Sequence, residues 1–174
     1  DLFGPPRRTL VVTALPVSTW PGTRPAALAV IEDVSERRRL DAVRRDFTVN
    51  AMAVSLPGRE FEDPHTGVVD LAHRVLRTPG RPEDSFSDDP LRMMRAARFA
   101  AQLGFTVDPG VVAAMTAMAE RIEIISAERV RDELVKLVCA PYPRRGLTLL
   151  VETGLAQRIL PELPALALER DEHH

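Results

Sequence analysis

Apolar residues change their spacing near residue 46, from runs rich in Val, Leu and Ile to a recurrence every three or four residues. The first regime predicts strands over Arg8 to Val17 and Ala26 to Asp33, joined through the turn composition Pro21-Gly22-Thr23-Arg24-Pro25, hence a hairpin. Beyond Asp33, Ser35 can cap a helix carrying Leu40, Val43 and Phe47 on one face, and the pattern predicts that it continues through Asn50 to Val54 before Pro57-Gly58 stops it. Residues 59 to 80 read as short and irregular, with a turn at Asp63-Pro64-His65-Thr66-Gly67 and a brief extended or helical piece over Val68 to Leu76. From Asp88 the pattern is helical. Asp88-Asp89-Pro90 opens a first helix ended by Gly104, and Asp108-Pro109 opens a second reaching about Ile122. Ser126 caps a third with Val130, Leu134, Leu137 and Val138 on one face, and Pro143 to Gly154 is a fourth. The expected fold class is α+β, mostly α: an N-terminal β-hairpin and long helix followed by a small helical bundle.

Composition narrows the function. The 174 residues are 45% hydrophobic and 28% charged, enough for one ordinary domain or two small ones, and no internal repeat is visible. A formal net charge of −2 excludes a non-specific polyanion binder, so any RNA contact must be local. The single cysteine, Cys139, excludes an internal disulfide and a cysteine zinc site, and its apolar helical surroundings predict a buried small hydrophobe. Charged residues interrupt every apolar segment and no leader is recognisable, so no membrane span is expected and the chain reads as cytoplasmic.

Two stretches combine arginines with short carboxylates and amides. In the helix at Asp88-Asp89-Pro90, Asp89 and Arg92 are three apart, and Arg95 and Arg98 extend the stripe by the same step. A carboxylate accepts from an exocyclic amino group while a guanidinium donates to ring nitrogens or a carbonyl; Asp89 with Arg92 therefore suits a base edge, and Arg95 or Arg98 suits phosphate. The simpler alternative is a charged first turn complementing the helix N-terminus, with Asp88 paired to Arg92. In Arg44-Arg45-Asp46-Phe47-Thr48-Val49-Asn50, Asp46 and Asn50 are four apart beside Arg45, a set that can hold ribose hydroxyls and triphosphate or merely form a charged helical turn. Asp63, His65, Asp70 and His73 lack compact metal-ligand spacing and are assigned no metal. No Ser-His-Asp or Cys-His order and no glycine-rich phosphate loop is present, so phosphate must be held by side chains.

At these residues the chain resembles the class II tRNA nucleotidyltransferases, the family of CCA-adding enzymes and bacterial poly(A) polymerases, over about residues 44–174. Arg44 to Ala53 matches the family's R-R-D-F-T-x-N-A motif, which implies sugar and triphosphate contacts for Arg45, Asp46 and Asn50. Asp63, Gly67, Asp70 and Leu71 match the D-P-x-x-G-x-x-D-L hinge region. Asp88-Asp89-Pro90-Leu91-Arg92 matches E-D-x-x-R with Asp for Glu, which implies that Asp89 and Arg92 select the incoming C or A, with Arg95 also at the nucleotide. The segments from Glu128 and Gly154 resemble later neck and body motifs, and Arg129 and Arg131 there, with Arg98 of the stripe, are the expected RNA contacts. The resemblance further implies CTP and ATP as substrates, Mg²⁺ as the metal, and a tRNA or RNA 3′ end as partner.

Nothing in residues 1–43 matches the family's G-G-x-V-R-D and D-x-D metal motifs, so no catalytic carboxylate is assigned and little polymerisation by this chain alone is expected. Arg8 to Phe47 instead resembles the last strands of a PAS sensor domain and its signalling helix, joined as in a chimera. The expected division is a PAS-like hairpin and connecting helix (1–46), a remnant of the nucleotidyltransferase head (47–80), and a helical neck and body that bind nucleotide and RNA (81–174). Two other readings stand beside a nucleotidyltransferase fragment: a signalling module dimerising through the helix at Leu40 and Val43, and an inactive helical scaffold.

Overall fold

The Val- and Leu-rich runs form the expected hairpin, β1 (Arg8–Val17) against β2 (Ala26–Val34), antiparallel from Thr9 opposite Val34 to Val17 opposite Ala26. The computed structural model describes residues 8–17, 26–34, 46–56 and 60–165. Residues 8–12 of β1 also pair antiparallel with β3 (Met52–Leu56), and β3 pairs with β4 (Glu60–Glu62). The sheet order is β2-β1-β3-β4, so the hairpin shares one antiparallel sheet with strands that follow Arg44-Arg45-Asp46.

The helix expected through Phe47 and Asn50 to Val54 is not found. Phe47 is extended (φ −137°, ψ 153°), Thr48–Asn50 is a single 3₁₀ turn, and Met52 already begins β3. Phe47, Val49, Ala51, Met52 and Ala53 are all buried, and burial on every side removes the alternation by which a strand is recognised. The rest of that predicted helix, including Leu40 and Val43, lies outside the described residues.

Next come α1 (Gly67–His73) and β5 (Val75–Leu76), the latter parallel to β6 (Thr106–Val107). Asp63 accepts from the backbone N–H groups of Gly67 (2.6 Å) and Val68 (2.9 Å), satisfying donors that the first turn of α1 leaves open. The sequence reading missed α2 (Pro82–Asp88), a short polar helix that buries little beyond Ser85 and Phe86. It is followed by α3 (Leu91–Leu103), ended by Gly104 at φ 68°. Then come α4 (Pro109–Ala117), a 3₁₀ segment (Ala119–Ile124), α5 (Ala127–Val138), α6 (Pro143–Glu152), α7 (Ala156–Ile159) and α8 (Glu162–Ala165).

Helix α3 is the axis of the bundle, packed against α5 and α6. Nine of its thirteen residues are buried, and the four others are Arg92, Arg95, Arg98 and Gln102. Every polar side chain of the helix therefore lies on one stripe. On the α6 side the contact is tight, because a Cβ at Gly146 would stand 2.6 Å from the Ala97 carbonyl oxygen and 2.9 Å from Leu137 Cγ. Phe47 packs edge-on against Phe99 (ring centroids 5.7 Å apart, 80° between planes), fixing the turn after Asp46 to α3. Fully burying an aromatic or large aliphatic side chain contributes about 1.5–3 kcal/mol, so this junction is a substantial part of the core.

Three local expectations change. Cys139 follows α5 as an exposed residue, because it lies past the helix end and away from the face that meets α3. Val138 is exposed for the same reason of facing, and Ser126 takes the N-cap position of α5 without a side-chain hydrogen bond. Among the described residues no helix is long and apolar enough to cross a membrane.

Candidate functional site

The arginine stripe of α3 is anchored at both ends by acids from distant parts of the chain. Arg92 Nε lies 3.0 Å from one oxygen of Asp46, and Arg95 Nη1 donates to the other at 2.7 Å. Arg92 Nη1 also donates to Ser85 Oγ (2.9 Å) on α2. One turn further, Arg98 Nε is 2.5 Å from Glu133 of α5, whose side chain is only 8% exposed; Arg98 also donates to Gln102 Oε1 (3.1 Å). Lys136 approaches Glu133 at 3.6 Å from the solvent side.

Asp89 does not sit in the first turn of α3 as its spacing suggested. Asp88 ends α2, Asp89 is extended (φ −146°, ψ 100°), and Pro90 is the N-cap of α3. The carboxylate of Asp89 nevertheless turns back to the helix. One oxygen accepts from the Leu91 N–H (3.2 Å) while the other faces Arg129 Nη2 (3.4 Å) on α5. Its side chain is 26% exposed, against 17% for Asp46 and 8% for Glu133, which makes Asp89 the most open acid along the stripe. Its partner Arg129 is half exposed.

Electrostatics favour the charge on Arg95. Burial alone disfavours the Arg95 guanidinium charge, but the charge and hydrogen bond of Asp46, with smaller help from Glu133 and Asp89, leave it held above its ordinary pKa. Two guanidinium groups on one carboxylate leave a net positive edge, open beside Arg95 and Arg129.

The structure brings together Asp46, Arg92, Arg95, Asp89 and Arg129. Asn50 is buried in the 3₁₀ turn rather than four residues along a helix face from Asp46. Arg45 lies outside the described residues. Arg131 is well exposed and pairs with Asp132 (3.5 Å), apart from the stripe. Sequence reasoning missed Ser85 and Glu133, because partners on other helices leave no trace in local spacing. It also missed the pair of Thr48 and the buried Asp70, whose carboxylate accepts from Thr48 Oγ1 at 2.7 Å. Here the signal was the presence of both residues in recognised motifs. That pair, with Arg77 3.5 Å from Asp70, ties the turn to α1, and Gly67 is where α1 meets the Thr48 backbone. Among the described residues no group of three or more His, Cys, Asp or Glu side chains is placed to hold a metal ion.

With this geometry, two family models match the chain. Residues 22–77 match the poly A polymerase head domain, and residues 104–166 match the probable RNA and SrmB-binding site of polymerase A. The CCA-adding enzyme of Levilactobacillus brevis is 45% identical over 134 residues, covering 77% of this chain and 32% of that protein. Over about three quarters of its length the chain is similar to CCA-adding enzymes. The crystal structure of the Bacillus stearothermophilus CCA-adding enzyme in complex with CTP aligns at a TM-score of 0.64 and 34% identity, over 82% of this chain and 37% of that one. The Thermotoga maritima CCA-adding enzyme complexed with tRNA aligns at 0.69 and 21% identity, over 90% of this chain and 49% of that one, and shows the shared fold. The chain spans about a third of the length of the curated relatives it matches. The sensor-domain resemblance of the hairpin receives no support: the head-domain model already covers residues 22 to 46, and β1 pairs with β3.

Proposed function

We propose that this region is the nucleotide-selecting and RNA-contacting part of a tRNA nucleotidyltransferase, with the turn and strands up to residue 80 closing the head and residues 81–165 forming the neck and start of the body. In this reading Asp89 and Arg92 meet the Watson–Crick edge of an incoming CTP or ATP and Arg95 meets its phosphates. Arg129 and Arg131 meet the backbone of a tRNA 3′ end. The observation that carries the reading is the stripe itself: the polar groups of a largely buried helix gathered on one side, with Arg92 held by Ser85 and the most open carboxylate, Asp89, facing Arg129.

The arrangement can discriminate bases because an aspartate accepts only and an arginine donates only, so a base whose edge offers the complementary order is favoured and the reverse order leaves buried groups unpaired. The Mg²⁺ expected for the reaction has no matching set of ligands among the described residues, so no step is assigned to it here. The paired carboxylates needed for phosphoryl transfer are likewise not among the residues assigned to the site.

Calorimetric titration with CTP, ATP, GTP and UTP, on the wild type and on Asp89→Ala, tests the proposal. Selective binding of CTP and ATP that the substitution abolishes supports it. Equal binding of all four, or selectivity that survives Asp89→Ala, refutes it.

A further inference from the structure

Both oxygens of Asp89 are engaged, but unequally. One accepts from the Leu91 N–H at 3.2 Å, two residues along the chain, and so belongs to the start of α3. The other accepts from Arg129 Nη2 at 3.4 Å, across 40 positions, from the first turn of α5. That second contact joins two side chains that water reaches, Asp89 26% and Arg129 50% exposed, and an ion pair of this length and exposure opens readily. Ser87, two residues earlier, is also met by an arginine from further along the chain, Arg121, but through its backbone carbonyl (3.3 Å).

We infer that Arg129 is an exchangeable counter-ion of Asp89 that couples nucleotide binding to RNA binding. The inference rests on the proposed roles of Asp89 and Arg129. A base amino group and a guanidinium are both donors, so they compete for the outward oxygen of Asp89. A phosphate, in turn, competes with that carboxylate for Arg129 and accepts its N–H fork in the same bidentate geometry. Each ligand therefore opens the pair from its own side. The first to bind bears the cost of opening it and the second does not, which makes the two binding events mutually favourable, by the same factor in either order. Arg121 holds an uncharged carbonyl, offers no such exchange, and serves as the control.

CTP is titrated calorimetrically into the intact chain, Arg129→Ala, Arg129→Gln and Arg121→Ala. Each titration is run with and without a tRNA 3′-end oligonucleotide whose 3′-deoxy terminus blocks extension. In the wild type the RNA should tighten CTP binding about two- to fivefold, the span of an exposed ion pair, and CTP should tighten RNA binding equally. In both Arg129 variants CTP alone should bind more tightly than to the wild type by that factor, and the effect of RNA on CTP should vanish; Arg121→Ala should keep it. Tighter binding is a gain that loosened structure does not produce, and thermal unfolding of each variant accompanies the titrations. If Arg129 merely supports Asp89, the sign reverses and both variants bind CTP more weakly, which overturns the inference. Coupling that persists without Arg129, coupling lost equally in Arg121→Ala, or no coupling in a wild type that binds CTP selectively also overturns it, the last leaving the proposed function standing. A wild type without selective CTP binding removes the proposed function and the inference with it.

Discussion

Removing Glu133 should cost more than any other single truncation on the stripe. Its carboxylate is 8% exposed and lies 2.5 Å from the Arg98 guanidinium, itself 16% exposed and stacked 4.1 Å from the Phe99 ring centroid. Breaking a buried pair by deleting one partner typically costs about 3–5 kcal/mol because the other charge stays behind. Here Arg98 retains Gln102 at 3.1 Å and some solvent, and Lys136 is more than half exposed, which brings the expected loss for Glu133→Ala to about 2–3 kcal/mol. For a chain of this length that is a fall in melting temperature of roughly 4–12 °C. The assay is thermal and urea unfolding followed by far-UV circular dichroism, with Arg98→Met/Glu133→Leu as the second variant. The double variant should recover most of the loss, because it removes both charges together. A loss below about 0.5 kcal/mol, the range of an ordinary surface substitution, would refute the reasoning, as would a double variant less stable than Glu133→Ala.

Gly67→Ala should destabilise by about 2–3 kcal/mol in urea unfolding, since the new Cβ would stand 2.2 Å from the Thr48 carbonyl oxygen and backbone must move; a neutral result would contradict the close approach of α1 to the turn. Gly146→Ala should lose about 1–2 kcal/mol despite a helix-propensity gain near 1 kcal/mol, because the Ala97 carbonyl lies 2.6 Å from the added carbon; a more stable variant would argue against the tight α3–α6 contact. Arg131→Ala should weaken binding of a tRNA 3′-end oligonucleotide equally for all sequences and reduce the slope of log affinity against log salt by about 0.7. An unchanged slope would take Arg131 off the RNA path.

The hairpin was legible because β-branched runs flanking a Pro-Gly turn state their conformation locally, and helices α3 to α6 were legible because their caps and breakers are local too. What failed was non-local. Phe47 continued the spacing of Leu40 and Val43, yet its ring belongs to the bundle core and its backbone is extended. Asp46 and Arg95, 49 residues apart, form the closest acid–base contact at the head of the stripe, and no helical spacing encodes such a pair. Asp89 was grouped with Arg92 by helical spacing, but it stands between two helices, and its carboxylate meets the Leu91 N–H and Arg129, a residue 40 positions away. Cys139 was misjudged because an apolar run says nothing of where its helix stops.

The most direct test of a nucleotide site on α3 is a ¹⁵N-edited NMR titration of the arginine side chains with CTP. The account predicts that the Nε resonances of Arg92 and Arg95 move first, together with the backbone amides of Asp46, Ser85 and Asp89, and that GTP moves them less. Shifts confined to other parts of the bundle, such as the groove between α5 and α7 lined by Ile122, Val130 and Ile159, would contradict it.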